Sequence, residues 1–315
     1  MSEVSFTKSV KEELATNKYE SKDRLRALLA AYIRINGHLV LKDKKTLIVF
    51  KTEDVKIAKF IYETILNIYH ADTHFSYEKK SKLSKNMVFV TTIEDNVNEI
   101  LEDLDISFLE EKISKNIVKN DDTISGYLAG AFLASGSINS PKSSNYHLEI
   151  SLGSENFAKW LVRLFYRYKN TNIEPKIILR RSSYVVYLKK SDKIVDFLVM
   201  IGAVSSCMAF EDIRIDRDYS NISNRLVNLD TANMSKTVSN AEKQIMWIKE
   251  IDKRIGIEQI HENNLRLLMR LRLENDSASL SELAELMSKS LNKKVSKSNI
   301  AHLFKKIEEK YVRLG

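Results

Sequence analysis

The fold is decided by two short stretches, LAAYIRING at residues 29–37 and LAGAFLASG at residues 128–136. The second stretch repeats the first 99 positions later, and each predicts an apolar helix that ends at a glycine. We expect Gly37 and Gly136 to end their helices in a left-handed conformation, as glycines at this position commonly do. A duplication therefore organises the first two thirds of the chain.

The segments after the two stretches also match each other. Each copy contains two β-rich runs and two further amphipathic helices. The predicted strands are residues 46–51 and 87–92 in the first copy and 147–152 and 184–188 in the second, and the predicted helices are 55–69, 96–104, 156–168 and 193–201. Hairpin-like loops are predicted at 79–85 and 180–183. The alternation predicts an α+β fold of tandem repeats with antiparallel sheets.

Small residues inside the two repeated helices predict how these helices pack. Ala30 and Ala31 lie in the first and Ala129 and Gly130 in the second. A glycine inside a helix costs about 1 kcal/mol relative to alanine, so it is easiest to explain where another backbone approaches closely. We therefore expect the two helices to pack against each other along their small faces.

Both stretches resemble the motif of the LAGLIDADG homing endonucleases. The resemblance implies a pseudo-twofold pair of helices, two antiparallel sheets that form a saddle over DNA, and an aspartate at the eighth motif position that holds a catalytic divalent metal. Asn36 and Ser135 occupy that position here, and Arg34 and Leu133 occupy the sixth. Divalent metal hydrolysis needs anionic oxygen ligands, which none of these side chains supplies. We therefore predict a retained scaffold with no catalytic residues, no metal and no cofactor.

No other segment predicts catalysis. His70 and His74 have i,i+4 spacing without a nearby carboxylate or thiol, so we interpret them as a surface pair at a helix end rather than zinc ligands. Cys207 lies in an apolar run and is interpreted as a buried structural thiol. The glycines of Gly126-x-x-x-Gly130 do not form a phosphate loop, because no Gly-Lys-Ser/Thr follows them.

The last hundred residues predict a boundary segment and a helical domain. Residues 216–235 are polar, without a clear period, and Ser235 is predicted to cap a helix that runs to about Lys253. Gly256 is expected to end that helix. Three further helices are predicted at 264–273, at 279–287 with Ser281 as a possible cap, and at 296–311. The predicted buried face of the first helix consists of Leu267, Leu268 and Leu271. That of the second consists of Leu283, Leu286 and Met287, and that of the third of Ile300, Leu303 and Ile307.

A helix, a short polar turn and a second helix are typical of a helix-turn-helix. The last 29 residues contain eight Lys and Arg against Glu308 and Glu309, which concentrates positive charge there. Short polar side chains at the start of the last helix suit contacts to base edges, and the lysines suit contacts to phosphates. The predicted DNA-binding residues are Lys293, Lys294, Ser296, Lys297, Ser298, Asn299, His302, Lys305 and Lys306.

The combination of a degenerate tandem LAGLIDADG-like region and a C-terminal helix-turn-helix resembles the WhiA regulators of Gram-positive bacteria. Matching positions include Asn228, Asn233, Lys236, Ala241 and Gln244. The resemblance implies transcriptional control linked to cell division or chromosome segregation, and to sporulation in some relatives. The expected domains are 1–110 and 111–215 for the two repeats, 216–255 for a linker with a helix, and 256–315 for the helix-turn-helix.

Composition limits the remaining classes. The chain has 315 residues, a net charge of +8 and one cysteine, which excludes an intramolecular disulfide. The apolar run 197–210 is too short to cross a bilayer. We expect a cytoplasmic, nucleoid-associated protein whose partners are double-stranded DNA and other transcription or cell-division proteins, with no membrane. Two alternatives stay open at this point: a metal-dependent LAGLIDADG endonuclease, and a protein-interaction scaffold for division proteins.

Overall fold

The computed structural model describes residues 5–79, 87–108, 111–169 and 171–314, and the chain divides into two compact units, residues 1–217 and 218–315. The first unit contains two copies of one pattern. The first copy comprises α1 (Phe6–Thr16), α2 (Lys22–Asn36), β1 (His38–Lys42), β2 (Lys45–Thr52), α3 (Val55–Tyr69), β3 (Thr73–Lys79), β4 (Met87–Ile93) and α4 (Val97–Asp103). Its strands form one antiparallel sheet in the order β1-β2-β4-β3.

The second copy repeats this arrangement. It comprises α5 (Asp121–Ser135), β5 (Gly136–Ile138), β6 (Leu148–Leu152), α6 (Glu155–Arg167), β7 (Lys176–Arg180), β8 (Ser183–Leu188) and α7 (Ser191–Ile201). Its sheet is also antiparallel, in the equivalent order β5-β6-β8-β7. The two copies share one hydrophobic core. The predicted tandem α+β duplication is confirmed.

Each sheet contains four strands, whereas the sequence predicted two. The four missed strands, β1, β3, β5 and β7, are all edge strands. Every residue of β1 is exposed, four of the five residues of β7 are exposed, and β5 has only three residues. An edge strand with little burial on either face has no clear alternation of apolar and polar residues, so its pattern is weak. The predicted hairpin at 79–85 lies almost wholly outside the described residues.

Helices α2 and α5 pack against each other through the glycines of α5. A methyl group at Gly130 would lie 2.1 Å from the carbonyl oxygen of Leu28, and one at Gly126 would lie 2.4 Å from the carbonyl oxygen of Arg24. Only glycine permits so close a backbone approach. The predicted helix pairing is confirmed, and it extends to Gly126, two residues before the start of the motif.

The predicted left-handed ends at Gly37 and Gly136 are wrong. Both glycines have extended backbones, with φ of −78° and −74°. Glycine occurs at these positions because there is no room for a side chain: a methyl group at Gly37 would lie 2.4 Å from the carbonyl oxygen of Ile33. A methyl group at Gly136 would lie 2.3 Å from the ring of Phe132.

The second unit consists of most of α8 and a helical domain. The elements are α8 (Val204–Arg254), which begins in the first unit, a 3₁₀ turn at Ile257–Gln259, α9 (Asn263–Glu274), α10 (Leu280–Leu291) and α11 (Lys297–Leu314). The predicted irregular segment 216–235 and the helix start at Ser235 are wrong, because α8 is continuous through both. No glycine or proline occurs between residues 204 and 254 to interrupt it.

Gly256 ends α8 as predicted, with a positive φ of 87° that favours glycine. The structure divides the chain between Arg217 and Asp218. The finer boundaries at 110/111, 215/216 and 255/256 stay predictions.

Candidate nucleic-acid interface

Local hydrogen bonds set the ends of the two helices that form the candidate interface. The Ser279 hydroxyl accepts from the backbone N–H of Glu282, and the Glu282 carboxylate accepts from the backbone N–H of Ser279. This capping box starts α10, so the predicted cap at Ser281 is wrong by two residues. Helix α10 ends at Asn292, which has a left-handed backbone. The Ser296 hydroxyl accepts from the backbone N–H of Asn299 at 3.2 Å and thereby starts α11.

A small apolar core fixes the direction in which α11 faces. Ile300, Phe304 and Ile307 of α11 are buried, and Phe304 takes the place that the sequence assigned to the half-buried Leu303. The other buried side chains of this core come from the end of α8, the 3₁₀ turn, α9 and α10: Ile248, Ile251, Ile257, Ile260, Leu265, Leu268, Met269, Leu271, Leu283, Ala284 and Met287. The opposite side of α11 is therefore left for solvent.

The outer face of α11 carries three of the predicted residues in line. Ser298, His302 and Lys305 are exposed and spaced at i, i+4 and i+7, so they lie on one side of the helix. Lys297 and Asn299 are exposed on either side of this line. Lys293 and Lys294 are exposed in the turn before the helix. We call these seven residues the outer face.

Two predicted residues are placed differently. Ser296 uses its hydroxyl oxygen to cap α11. Lys306 is only half-exposed, and its ammonium lies 3.5 Å from the Glu262 carboxylate. An exposed ion pair of this kind is worth about 0–1 kcal/mol, so the ammonium can exchange its partner for a phosphate. Ser296 and Lys306 stay predicted DNA contacts, but we do not count them in the outer face.

Sequence reasoning missed one residue that shapes the domain. Arg272 is only 1% exposed, and its guanidinium donates to the carbonyl oxygens of Asn275, Asp276 and Ala278, the last at 2.6 Å. Burial lowers the pKa of this guanidinium. Arg272 thus holds the turn between α9 and α10. The available signal was its place between Leu271 and Leu273, because Leu268, Leu271 and Arg272 fall on one side of the helix.

The degenerate motif positions hold neutral or cationic side chains, which supply no anionic ligand for a divalent metal. The Asn36 amide donates to the Tyr32 hydroxyl at 3.0 Å and to the Lys51 carbonyl at 3.2 Å. Burial raises the pKa of Tyr32 to about 12, so its hydroxyl is neutral. The Ser135 hydroxyl is buried without a hydrogen-bond partner in the described part of the chain. The Arg34 guanidinium lies 5.5 Å from the ring centres of both Phe108 and Phe157.

The cleft beside Asn36 is lined by both basic and acidic side chains. It encloses about 800 Å³ and is lined by Lys8, Lys11 and Lys51 as well as Glu53 and Asp54. Burial lowers the pKa of Lys11 to about 8, although Asp54 opposes the shift. Asp54 also caps α3 by accepting from backbone N–H groups. These residues do not fit the divalent cation of an endonuclease, which needs several free anionic oxygens.

The remaining chemical candidates are dispersed. His70 ends α3 with a left-handed backbone and His74 lies on β3, so the predicted pair does not share one helix. Cys207 is buried, as predicted, and burial raises its pKa. Among the described residues no cluster of three or more His, Cys, Asp or Glu side chains could hold a metal ion. Over the same residues, no helix is both long and apolar enough to cross a membrane.

Family models match most of the chain. The WhiA N-terminal LAGLIDADG-like domain matches residues 22–107, the WhiA LAGLIDADG-like domain matches 124–220, and the WhiA C-terminal HTH domain matches 223–311. The chain belongs to the WhiA family. The resemblance predicted from the two glycine-ended motifs and the terminal helices is confirmed.

Individual WhiA proteins are similar along their whole length. The probable cell division protein WhiA of Staphylococcus aureus (strain USA300) is 38% identical over 309 residues, which cover 97% of this chain and 96% of that protein. The protein of the same name from Enterococcus faecalis (strain ATCC 700802 / V583) is also 38% identical over 309 residues, with 97% of each chain covered. The crystal structure of full-length DUF199/WhiA from Thermatoga maritima matches with a TM-score of 0.61 and 26% identity over 99% of both chains.

Proposed function

We propose that this WhiA protein is a non-catalytic, sequence-specific binder of double-stranded DNA that regulates transcription connected with cell division. The observation that carries the proposal is the outer face of α11. Its three aligned residues, Ser298, His302 and Lys305, are all exposed and all polar, on the helix that follows the turn of a helix-turn-helix.

The outer face combines two kinds of contact. Lys293, Lys294, Lys297 and Lys305 are exposed cations that suit phosphates, and the start of α11 adds the positive end of a helix dipole. Ser298, Asn299 and His302 are exposed hydrogen-bonding side chains that suit base edges in a major groove, and asparagine in particular suits adenine. The lysines would supply affinity and position, and the three polar side chains would supply sequence preference.

The first unit supports the non-catalytic part of the proposal. Asn36 is committed to Tyr32 and to the Lys51 carbonyl, and Ser135 is neutral and buried. Neither supplies the anionic oxygen that metal-assisted strand cleavage requires. The relatives named probable cell division protein support the link to division. The proposal includes a cytoplasmic, nucleoid-associated location and other transcription or cell-division proteins as further partners.

The test is a titration of the full-length protein against labelled duplex DNA at several salt concentrations. We expect log K to fall linearly with log salt, with a slope of about −0.9 for each neutralised phosphate. Lys305→Ala should weaken binding to all sequences alike and reduce the slope by about 1. Lys243→Ala, which removes an exposed lysine of α8, is the matched control and should leave the slope unchanged. Binding that ignores salt would contradict the proposal.

The endonuclease alternative is tested with the same protein. Supercoiled plasmid incubated with Mg²⁺ or Mn²⁺ should stay uncut. Site-specific cleavage that disappears in Asn36→Ala or Ser135→Ala would overturn the non-catalytic assignment. A pull-down of division proteins that survives both nuclease treatment and Lys305→Ala would instead favour the scaffold alternative.

A further inference from the structure

The middle of α8 is a bare helix with an apolar stripe. Every residue from 218 to 236 is exposed. Tyr219, Ile222, Leu226 and Leu229 are between 55% and 72% exposed. They follow one another at intervals of three, four and three residues, so they lie along one side of the helix. We call these four side chains the seam. Single exposed apolar side chains are ordinary, but a continuous stripe on one helix marks an interaction surface.

We propose that the seam binds the seam of a second copy of this chain, and that the two α8 helices form a short parallel, in-register coiled coil. In heptad terms Tyr219 and Leu226 occupy a positions, and Ile222 and Leu229 occupy d positions. All four lie within the second unit. Each seam would cover the other and remove its apolar stripe from water.

The charges beside the seam argue for a second copy in parallel orientation. Arg225 occupies a g position and Asp230 the following e position, which are the positions that meet across a parallel pair. Both are exposed, and neither has an ion-pair partner among the residues that the structure describes. Twofold symmetry would form the Arg225–Asp230 pair twice, once on each side. In an antiparallel pair g positions face each other, so Arg225 would meet either its own copy or Asp218 of the other chain, and the Arg225–Asp230 pair would not form.

The polar residues after the seam define its register and its end. Asn233 occupies the next a position, where a single asparagine fixes register and favours two strands. Lys236 occupies the next d position, and two in-register copies of it would repel each other. The coiled coil should therefore stop near residue 233. A seam of two heptads is shorter than the roughly three to four heptads of an ordinary coiled coil, so we expect a weak dimer that dissociates on dilution.

The first test compares two neighbouring residues of α8 in the full-length protein. Sedimentation equilibrium between about 1 and 100 µM should give a monomer–dimer equilibrium. Leu226→Glu should weaken self-association at least about tenfold, because it places a carboxylate against an apolar seam. Val227→Glu is the matched control. Val227 is 59% exposed and Leu226 57%, but Val227 faces away from the seam and should change the dissociation constant less than about twofold.

The second test measures orientation. Arg225→Glu and Asp230→Arg should each weaken the dimer, and the double variant should restore it, because the pair then forms with its charges exchanged. Asn233→Cys should form an interchain disulfide on mild oxidation, since a positions meet only in a parallel pair, and the buried Cys207 does not compete. A protein that stays monomeric throughout, a Val227→Glu effect equal to that of Leu226→Glu, or a double variant weaker than either single variant would overturn the proposal.

Discussion

Replacing Gly130 by alanine tests whether close packing of α2 and α5 holds the first unit together. The added methyl carbon would lie 2.1 Å from the carbonyl oxygen of Leu28 and 2.9 Å from its carbonyl carbon. Both atoms are backbone, so no side chain can rotate out of the way. The two helices would have to separate by about 1 Å to reach an ordinary contact distance, and this would loosen a close-packed interface.

The magnitude follows from two opposing effects. An extra methyl group in a tightly packed core costs about 1–3 kcal/mol, and a clash with rigid backbone belongs at the upper end. Alanine returns about 1 kcal/mol because it is a better helix former than glycine. The net loss should be about 2 kcal/mol, which lowers the melting temperature of a unit of this size by about 4–8 °C.

The assay uses the two tryptophans, of which Trp160 lies in the first unit and Trp247 in the second. In a Trp247→Phe background, fluorescence during thermal or urea unfolding reports the first unit alone. Gly153→Ala is the control, because no atom lies within 4 Å of its added methyl group, and it should change stability by less than about 0.5 kcal/mol. A Gly130→Ala protein at least as stable as the Gly153→Ala protein would refute the packing argument.

Two further predictions concern buried cations. Arg272→Ala should destabilise the second unit by about 2–4 kcal/mol, because it opens a cavity and leaves three carbonyl oxygens without their donor. Arg270→Ala is the control: it removes an exposed guanidinium and should cost less than about 1 kcal/mol. Trp247 fluorescence during unfolding, in a Trp160→Phe background, measures both changes. In the folded protein the pKa of Lys11 is about 8, below the ordinary 10.5, so the unfolded chain keeps the Lys11 proton up to a higher pH than the folded protein does. The contribution of Lys11 to the stability of the first unit should therefore rise between about pH 8 and 10.5 and stay level outside this range. Lys11→Met should abolish that rise in urea titrations, and an undiminished rise would show that Lys11 is not its cause.

Helices α2 and α5 are buried on all sides and were predictable from their repeated motif, whereas the other helices and the central strands were predictable from one-sided or alternating burial. Helix α3 was predicted at its observed bounds, since its apolar residues recur with helical spacing. The edge strands β1, β3 and β7 were missed because they are mostly exposed, and β5 was missed because it has only three residues. The middle of helix α8 was misjudged for a related reason: it is exposed and mostly polar, so the short apolar spacing from Tyr219 to Leu229 and the lack of glycine and proline were both overlooked.

The candidate interface was predicted in part. The exposed positions of α11 followed correctly from its buried face, because a helix with one apolar stripe leaves the opposite side for solvent. Ser296 and Lys306 were assigned to DNA from residue type alone, which could not reveal that Ser296 caps the helix and that Lys306 pairs with Glu262. Arg272 was missed because its partners are backbone carbonyls, which no side-chain pattern displays.

The central claim is that the outer face of α11 reads DNA sequence, and enrichment of bound duplexes from a random pool tests it most directly. The full-length protein should enrich a defined motif. Asn299→Ala should keep the salt dependence of binding but lose preference at one base pair, at a cost of about 1–3 kcal/mol for the original motif. An unchanged motif with unchanged affinity, or no enrichment by the unaltered protein, would contradict the claim.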